Sequence, residues 1–479
     1  MRLAAMAGCV ITTLVISSAL PVLAQETPLT VEDRLRELER LVRDQQRTIA
    51  DQGATIQQLR ERQGETDPAR IDAAVDKYLE EKKKKGELTD WKAGYDGKFF
   101  MGSTDDNFRL QIGGYGQADS RWFPTSYPPT DTFFLRDMRP SIDGKLWKYY
   151  EFKIQFELNT STNNIRDAWL NFHYIDELQF KVGQHKHPFC RDDLRGADAT
   201  DFIDAPYITR FISPSRDSGA SFHGKLFDGI VEYGVGFYNG DGINVAPDTN
   251  DAKDVAARIN LSPFKTFDNF WLKGLEIGAS YSGGEQDKTI GGRTFTTSAG
   301  TVFYTLTPAT LRENSKLFRY NADFGWRIGP ASLQGEWGRM EIEDATRPRV
   351  SAAVPRLVQD FEIDTFYIQA TYLLTGDDKT WKHVKPKQNF DPKEGGWGAW
   401  ELAGRYQYLD FNANMTENGL ATGTEKLWSL TGGVNWYLNP HVEIMLDYEY
   451  TRYDDQVVRV GRGLEEEEHM ASLRFKFLF

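Results

Sequence analysis

From about residue 107 to the last residue, apolar and polar positions alternate with a period of two. In one stretch Tyr150, Phe152, Ile154, Phe156 and Leu158 fall on one face, with Glu151, Lys153, Gln155, Glu157 and Asn159 on the other. At the end of the chain Ala471, Leu473, Phe475, Phe477 and Phe479 alternate with Ser472, Arg474, Lys476 and Leu478. Such alternation marks strands with one apolar and one polar face. Sixteen are predicted, near 107–122, 132–146, 149–160, 164–174, 177–185, 218–226, 229–239, 253–262, 270–281, 317–327, 331–341, 361–374, 397–410, 425–438, 441–452 and 466–479. Connections alternate as well. Short turns such as "IDEL" and "FDG" lie on one side, and long polar loops such as 186–217 and 282–315 on the other. The stretch 375–396 is long yet falls on the short-turn side, and 91–101 reads as an extra strand or hairpin.

A soluble β-sandwich would also alternate, but its polar face would not carry a full charge at nearly every position. Tight turns at one end, long loops at the other and an even strand count are the build of outer-membrane barrels. The expectation is therefore an all-β fold, a 16-stranded antiparallel transmembrane β-barrel over 107–479 with a water-filled interior. Phe475, Phe477 and Phe479 should face lipid, and Arg474 and Lys476 the lumen. Its location is the outer membrane of a Gram-negative cell, with the lipid bilayer as a partner.

A different period precedes the barrel. Leu35, Val42, Ile49 and Ile56 share one heptad position, and Leu38, Gln45, Gln52 and Leu59 its partner, so 25–66 is predicted to be a coiled-coil stalk. This stalk would lie in the periplasm, in contact with periplasmic partners or peptidoglycan. A short helix and the run "EEKKKKG" fall in a linker, 67–106. Arg2, the apolar run "CVITTLVISSAL" and small residues before Gln25 predict a secretory signal peptide over 1–24. Removing it takes Cys9 away and leaves Cys190 as a lone thiol without an internal disulfide.

Composition fits this picture. Aromatic residues are 13% of the chain, glycines number 42, and no apolar run after residue 24 is long enough for a spanning helix. The net charge of −13 argues against nucleic acid as a partner. No Ser-His or zinc-ligand spacing stands out, so no catalytic residue, metal or cofactor is expected, and the chain reads as something other than an enzyme.

Several stretches, "VGQHKHPF", "ITRFISPSRDSGASFHGKLFDG", "YGVGFYNGDG" and "GGVNWYLNPHVEIMLDYEY", resemble the phosphate-selective porin O and P family. The resemblance implies a sixteen-stranded channel, a homotrimer, a third long loop folded into the pore, and passive diffusion of small anions such as phosphate or polyphosphate. The terminal Phe resembles the end that the barrel-assembly machinery recognises. On this basis loop 186–217 is the expected constriction, with Lys186, Arg191, Arg195, Arg210 and Arg216. Wall candidates by parity are Arg139, Lys145, Lys153, Lys181, Lys225, Arg258, Arg319, Arg405 and Arg474. The principal anion-binding candidates are Arg139, Lys153, Lys186, Arg191, Arg195, Arg210, Arg216, Arg258, Arg319 and Arg405. Where family members show consecutive arginines, "LRDMRP" interposes Asp137. The alternatives are a general or organic-solute porin without anion preference and, from another class, an outer-membrane adhesin or barrel enzyme.

Overall fold

The computed structural model describes residues 91–479 apart from 125–129, 161–163, 246–249, 314–315 and 460–462, together with scattered positions between 36 and 82. The expected signal peptide lies outside the described residues, as does most of the heptad stretch. Within that stretch, 42–47 and 50–54 are helical. The chain divides into two units, Met1–Thr89 and Asp90–Phe479.

The second unit begins with a hairpin, β1 (Trp91–Tyr95) and β2 (Phe99–Ser103), which settles the stretch that the alternation pattern leaves open. Barrel strands follow: β3 (Arg109–Trp122), β4 (Thr132–Leu146), β5 (Tyr150–Glu157), β6 (Asn164–Ile175), β7 (Leu178–Lys186), β8 (Arg216–Leu226), β9 (Val231–Tyr238), β10 (Asp254–Leu261) and β11 (Leu275–Glu285). Four short strands lie in the next long loop: β12 (Lys288–Thr289), β13 (Thr294–Thr296), β14 (Val302–Leu306) and β15 (Arg312–Glu313). The wall resumes with β16 (Lys316–Ile328), β17 (Ala331–Arg347), β18 (Leu357–Leu373) and β19 (Ala399–Phe411). After the short β20 (Ala421–Gly423) it finishes with β21 (Lys426–Asn439), β22 (Val442–Arg459) and β23 (Gly463–Leu478).

Each wall strand pairs antiparallel with the next, and β23 returns to β3, with Arg474 opposite Asp119 and Phe477 opposite Gly116. The ring is closed at sixteen strands and leaves no edge. β3 changes partner along its length: its first residues pair with β2, and from Tyr115 onward it pairs with β23. Gly114 marks the handover by exchanging both backbone hydrogen bonds with Phe479, at 2.8 and 3.0 Å. A Cβ at Gly114 would sit 2.5 Å from the Arg139 carbonyl oxygen, so the close approach needs glycine.

The burial pattern is inverted relative to a soluble protein. Phe475 and Phe477 are 49% and 43% exposed, whereas Arg474 and Lys476 between them are 2% exposed. Arg474 is held by both carboxylate oxygens of Asp119, and Lys476 by Glu443. These two charged side chains survive at such burial because each finds a carboxylate on a neighbouring strand.

The lumen is not uniformly water-filled, and here the expectation needs correction. On the β17–β22 side the inward positions near the loop end turn apolar: Met340, Ile342, Phe361, Ile363, Leu409, Phe411 and Leu427 are at most 2% exposed. The loop between β11 and β16 folds inward onto them. Its strands β13 and β14 form a small sheet with β20, and Tyr304 stacks on Phe411 with ring centroids 4.3 Å apart. A fully buried Phe contributes about 1.5–3 kcal/mol, so this cluster is a core of its own inside the barrel. Open space is left mainly along β3–β8.

One loop is shorter than expected. β22 and β23 run on beyond 452 and before 466 as a paired ribbon, with Val457 opposite Glu465. That ribbon carries "DDQVVR" and "LEEEE", which lack an apolar face and so give no alternation signal.

Candidate functional site

The loop between β7 and β8 enters the lumen. After His187 it forms a short helix, Arg191–Arg195, stopped by Gly196 at φ 93°, and later a single π turn, Ile208–Ile212. Its apolar residues Phe189, Cys190, Tyr207, Ile208 and Ile212 join the inner core. Its polar ones tie it to the wall. Ile203 donates its backbone N–H to Asp447 at 2.7 Å, and Tyr207 shares a hydroxyl hydrogen bond with Ser429 at 2.6 Å.

Anchoring accounts for half of the candidate cations. Arg191 meets Asp323 at 2.8 Å, Glu276 at 2.7 Å and Asn260 at 2.9 Å. Arg258 reaches the same Asp323 at 2.6 Å. Arg195 clamps Asp201 with two nitrogens, at 3.0 and 3.1 Å. Arg210 donates to the carbonyls of Thr296 and Thr297, joining the loop to the small inner sheet. Arg405 donates to the Asp204 carbonyl at 2.8 Å and lies 4.6 Å over the Phe202 ring. Arg319 stands apart, 3.8 Å from Asp254, in a different cavity.

The remaining candidates come together. A cavity of about 670 Å³ at the turn end and one of about 180 Å³ above it share Arg139, Lys186, Gly196, Ala197 and Arg216. The two cavities thus adjoin between the Gly196–Ala197 backbone and three cations of the β3–β8 wall. Arg216 donates two nitrogens to Asp167, at 2.9 and 3.4 Å, and Lys153 stands 3.5 Å from the same carboxylate. Arg139 is held by Glu157, by Asp137 at 3.1 Å and by the Tyr115 hydroxyl at 2.5 Å. Lys186 pairs with Asp193 at 3.1 Å.

Two cations that parity misses line the upper cavity, Arg136 and Arg166. Between β3 and β4, Gln117 pairs with Asp137 and Ala118 with Leu135, so Arg136 is an extra residue. Between β5 and β6, Gln155 pairs with Asp167 and Phe156 with Ile165, so Arg166 is extra in the same way. A β-bulge breaks the period of two and brings adjacent residues to one face. Strict alternation would have sent both arginines to lipid.

The long turn 375–396 folds up beneath the inner loop. Lys379 is buried between Asp201 of that loop, at 2.8 Å, and Glu401 of β19, at 2.5 Å. Trp381 lies under the guanidinium groups of Arg191, Arg195 and Arg327, each within 5.6 Å of its ring centre. Lys382, His383 and Lys385 line the lower cavity, and His383 stands 3.2 Å from Asp198.

Not every cation along the two cavities is neutralised. Among the described residues Arg136, Arg166, Lys181, Lys382 and Lys385 line them with no carboxylate within 4 Å, against two side-chain carboxylates with no Lys or Arg so near, Asp192 and Asp198, the latter facing only the His383 imidazole. The lining of the two cavities is electropositive although the chain as a whole carries −13.

A closed sixteen-strand ring with an inward third loop is the setting for comparison with known proteins. Residues 105–479 match the family described as phosphate-selective porin O and P. The chain belongs to that family. Porin O of Pseudomonas aeruginosa is 24% identical over 393 residues, covering 74% of this chain and 85% of that protein. A loop-deletion form of OmpT, an outer membrane protein of Vibrio cholerae, superposes with a TM-score of 0.50 at 12% identity, over 78% of this chain and all of the other. An anion-selective porin from Comamonas acidovorans gives 0.47 at 12% identity, over 77% and 99%. The protein is thus an outer-membrane porin. Ser221 of this porin does approach a histidine, 3.0 Å from His185 Nε2, but the His185 Nδ1 partner is the Gly183 carbonyl rather than a carboxylate.

Proposed function

We propose that the porin passes small anions in preference to cations, phosphate among them, through the passage bounded by Arg139, Lys186 and Arg216. The observation that carries this reading is the excess of unpaired cations: five Lys and Arg without a carboxylate, against two side-chain carboxylates without a Lys or Arg, along the two cavities. A cation already bonded to a carboxylate adds little net field, whereas an unpaired one attracts anions directly. Guanidinium groups also present paired donors that suit the oxygens of phosphate. Arg136 and Arg166 would receive an anion from the loop end. Lys181, Lys382 and Lys385 would draw it on toward the turn end, which is the periplasmic end in barrels of this build.

Reversal potentials across a planar bilayer in a potassium chloride gradient test this reading. They should carry the sign of chloride, and millimolar phosphate should reduce the chloride current. Cation preference would overturn the anion reading and leave the porin in place. A second reading, a general porin with a transverse field, is favoured by Asp192 and Asp193 lining the same cavity as the arginines. It predicts conductance linear in salt and no block by phosphate.

The porin's assembly as a homotrimer has support in the wall. β5, β9 and β10 have 8 residues and β7 has 9, while β17 and β18 have 17. An 8-residue strand tilted by about 45° spans roughly 19 Å, short of the ~25 Å apolar band. That low wall carries an outward row of rings, Tyr150, Phe172, Phe180 and Phe222, with successive centroids 5.0–5.8 Å apart. Packing against sister subunits would shield what the bilayer cannot match. Mass measurement of the porin in detergent and in nanodiscs should give three chains. A monomer under both conditions would refute the trimer.

A further inference from the structure

A third cavity, of about 500 Å³, lies between the inward-folded loop after β11 and the wall at β16–β17. It shares no lining residue with the two cavities of the solute path. Its apolar part is Ile290, Leu317, Met340 and Ile342, each no more than 6% exposed. Its charged part is Lys288, Arg293, Arg319 and Glu313.

Three of these four charges are unspent. Lys288 pairs with Asp241 at 3.1 Å. Arg293 has no carboxylate partner among the described residues, and its guanidinium lies 4.9 Å from the Phe295 ring centre. Arg319 reaches no closer to a carboxylate than 3.8 Å, at Asp254, and its Nε and Nη1 donate to nothing. Glu313 is 4% exposed, and its buried Oε1 accepts no hydrogen bond. Burial pushes the Glu313 carboxyl up from its ordinary value, and Arg319, Lys288 and Arg293 oppose that push. A buried carboxylate without a donor and two guanidinium groups without full acceptors are each costly alone. They line one space without closing on one another.

A simple anion would satisfy the arginines but face Glu313. A simple cation would satisfy Glu313 but face the arginines. A small molecule bearing both an ammonium and a carboxylate completes all three, and its side chain can lie on the four apolar residues. We propose that this cavity binds a free aliphatic α-amino acid, with its ammonium on Glu313 and its carboxylate on Arg293 and Arg319.

Titration calorimetry of the full-length porin in detergent tests this with three probes: L-leucine, 4-methylpentanoate, which lacks the ammonium, and 3-methylbutylamine, which lacks the carboxylate. Leucine should bind saturably at one site per chain, and each analogue at least tenfold more weakly. Glu313→Gln should abolish leucine's advantage over 4-methylpentanoate, and Arg293→Gln its advantage over the amine. The unmodified porin alone decides the matter should a variant fail to fold. No saturable heat with leucine, or 4-methylpentanoate binding as tightly as leucine, would overturn the proposal. Leucine binding that neither folded variant weakens would do so too. Anion selectivity resides in other residues, so a failure here leaves the reading of the solute path standing, and the reverse holds as well.

Discussion

Replacing Arg136 and Arg166 together by glutamine is expected to lower the anion-over-cation permeability ratio about tenfold while leaving the barrel folded. Among the described residues neither guanidinium has an ion-pair partner, so their removal strands no buried carboxylate there. The contrast is with Arg191 and Arg258, both bound to a fully buried Asp323, where substitution would disturb the wall before it changed the field. An ion passing about 8 Å from one charge, at an effective dielectric of about 40, feels roughly 1 kcal/mol. Two such charges give about 2 kcal/mol, which mobile salt trims toward a tenfold ratio. Reversal potentials of the double variant and the parent in the same salt gradient measure it. The difference should shrink in about 1 M salt, where the screening length falls to roughly 3 Å. A ratio unchanged at low salt would mean that these two residues do not set selectivity.

The barrel was legible because lipid and lumen impose opposite chemistry on alternate residues, a local signal repeated sixteen times. Val442, Leu446 and Tyr448 are about half exposed or somewhat less, while Glu443, Asp447 and Glu449 between them are nearly buried, as the pattern of β22 requires. The signal fails where the period itself breaks. Arg136 and Arg166 sit on bulges, and a bulge is a property of two strands in register, which one strand's sequence does not carry. The inner core failed to show for a related reason. Phe361 and Phe411 stand on inward-facing positions, and their partners Phe295 and Tyr304 come from a distant loop rich in glycine and threonine.

The candidate cations divide along the same line. Sequence places Arg191, Arg195 and Arg210 in the third loop, where they are, but not the partners that bind them: Asp323, Asp201 and the carbonyls of Thr296 and Thr297. Asp323 lies 132 residues from Arg191, and the Thr296 and Thr297 carbonyls 86 and 87 from Arg210, separations that only the closed barrel bridges, whereas Asp201 is six residues from Arg195 in the same loop and needs that loop's own fold to meet it. The turn 375–396 did announce itself, being too long for its side of the barrel and carrying Trp381 among charges. Its length is explained by what it does, which is to support the inner loop from below.

Lys379→Met should therefore destabilise the porin by about 3–5 kcal/mol, the usual cost of removing one member of a buried ion pair. The Lys379 side chain is 1% exposed, Asp201 3% and Glu401 fully buried. Asp201 would keep Arg195 at 3.0 Å and Gln369 at 2.9 Å. Glu401 would keep only neutral donors, Tyr437 at 2.7 Å and Asn435 at 3.2 Å, and so would become a buried charge without a counterion. The double variant Lys379→Met with Glu401→Gln removes that charge and should recover more than half of the loss. Denaturant unfolding of the porin in lipid, followed by tryptophan fluorescence, gives both values. The channel should respond as well. Without Lys379 the turn is tied to the inner loop through Trp381, whose carbonyl accepts from Arg195 at 3.1 Å and whose ring lies under the Arg191 and Arg195 guanidinium groups, and through His383, 3.2 Å from Asp198. The Gly196–Ala197 segment that bounds the passage would then move more freely, and single-channel records should show greater open-state noise. A Lys379→Met porin as stable and as quiet as the parent would show that the turn bears no part in holding the constriction.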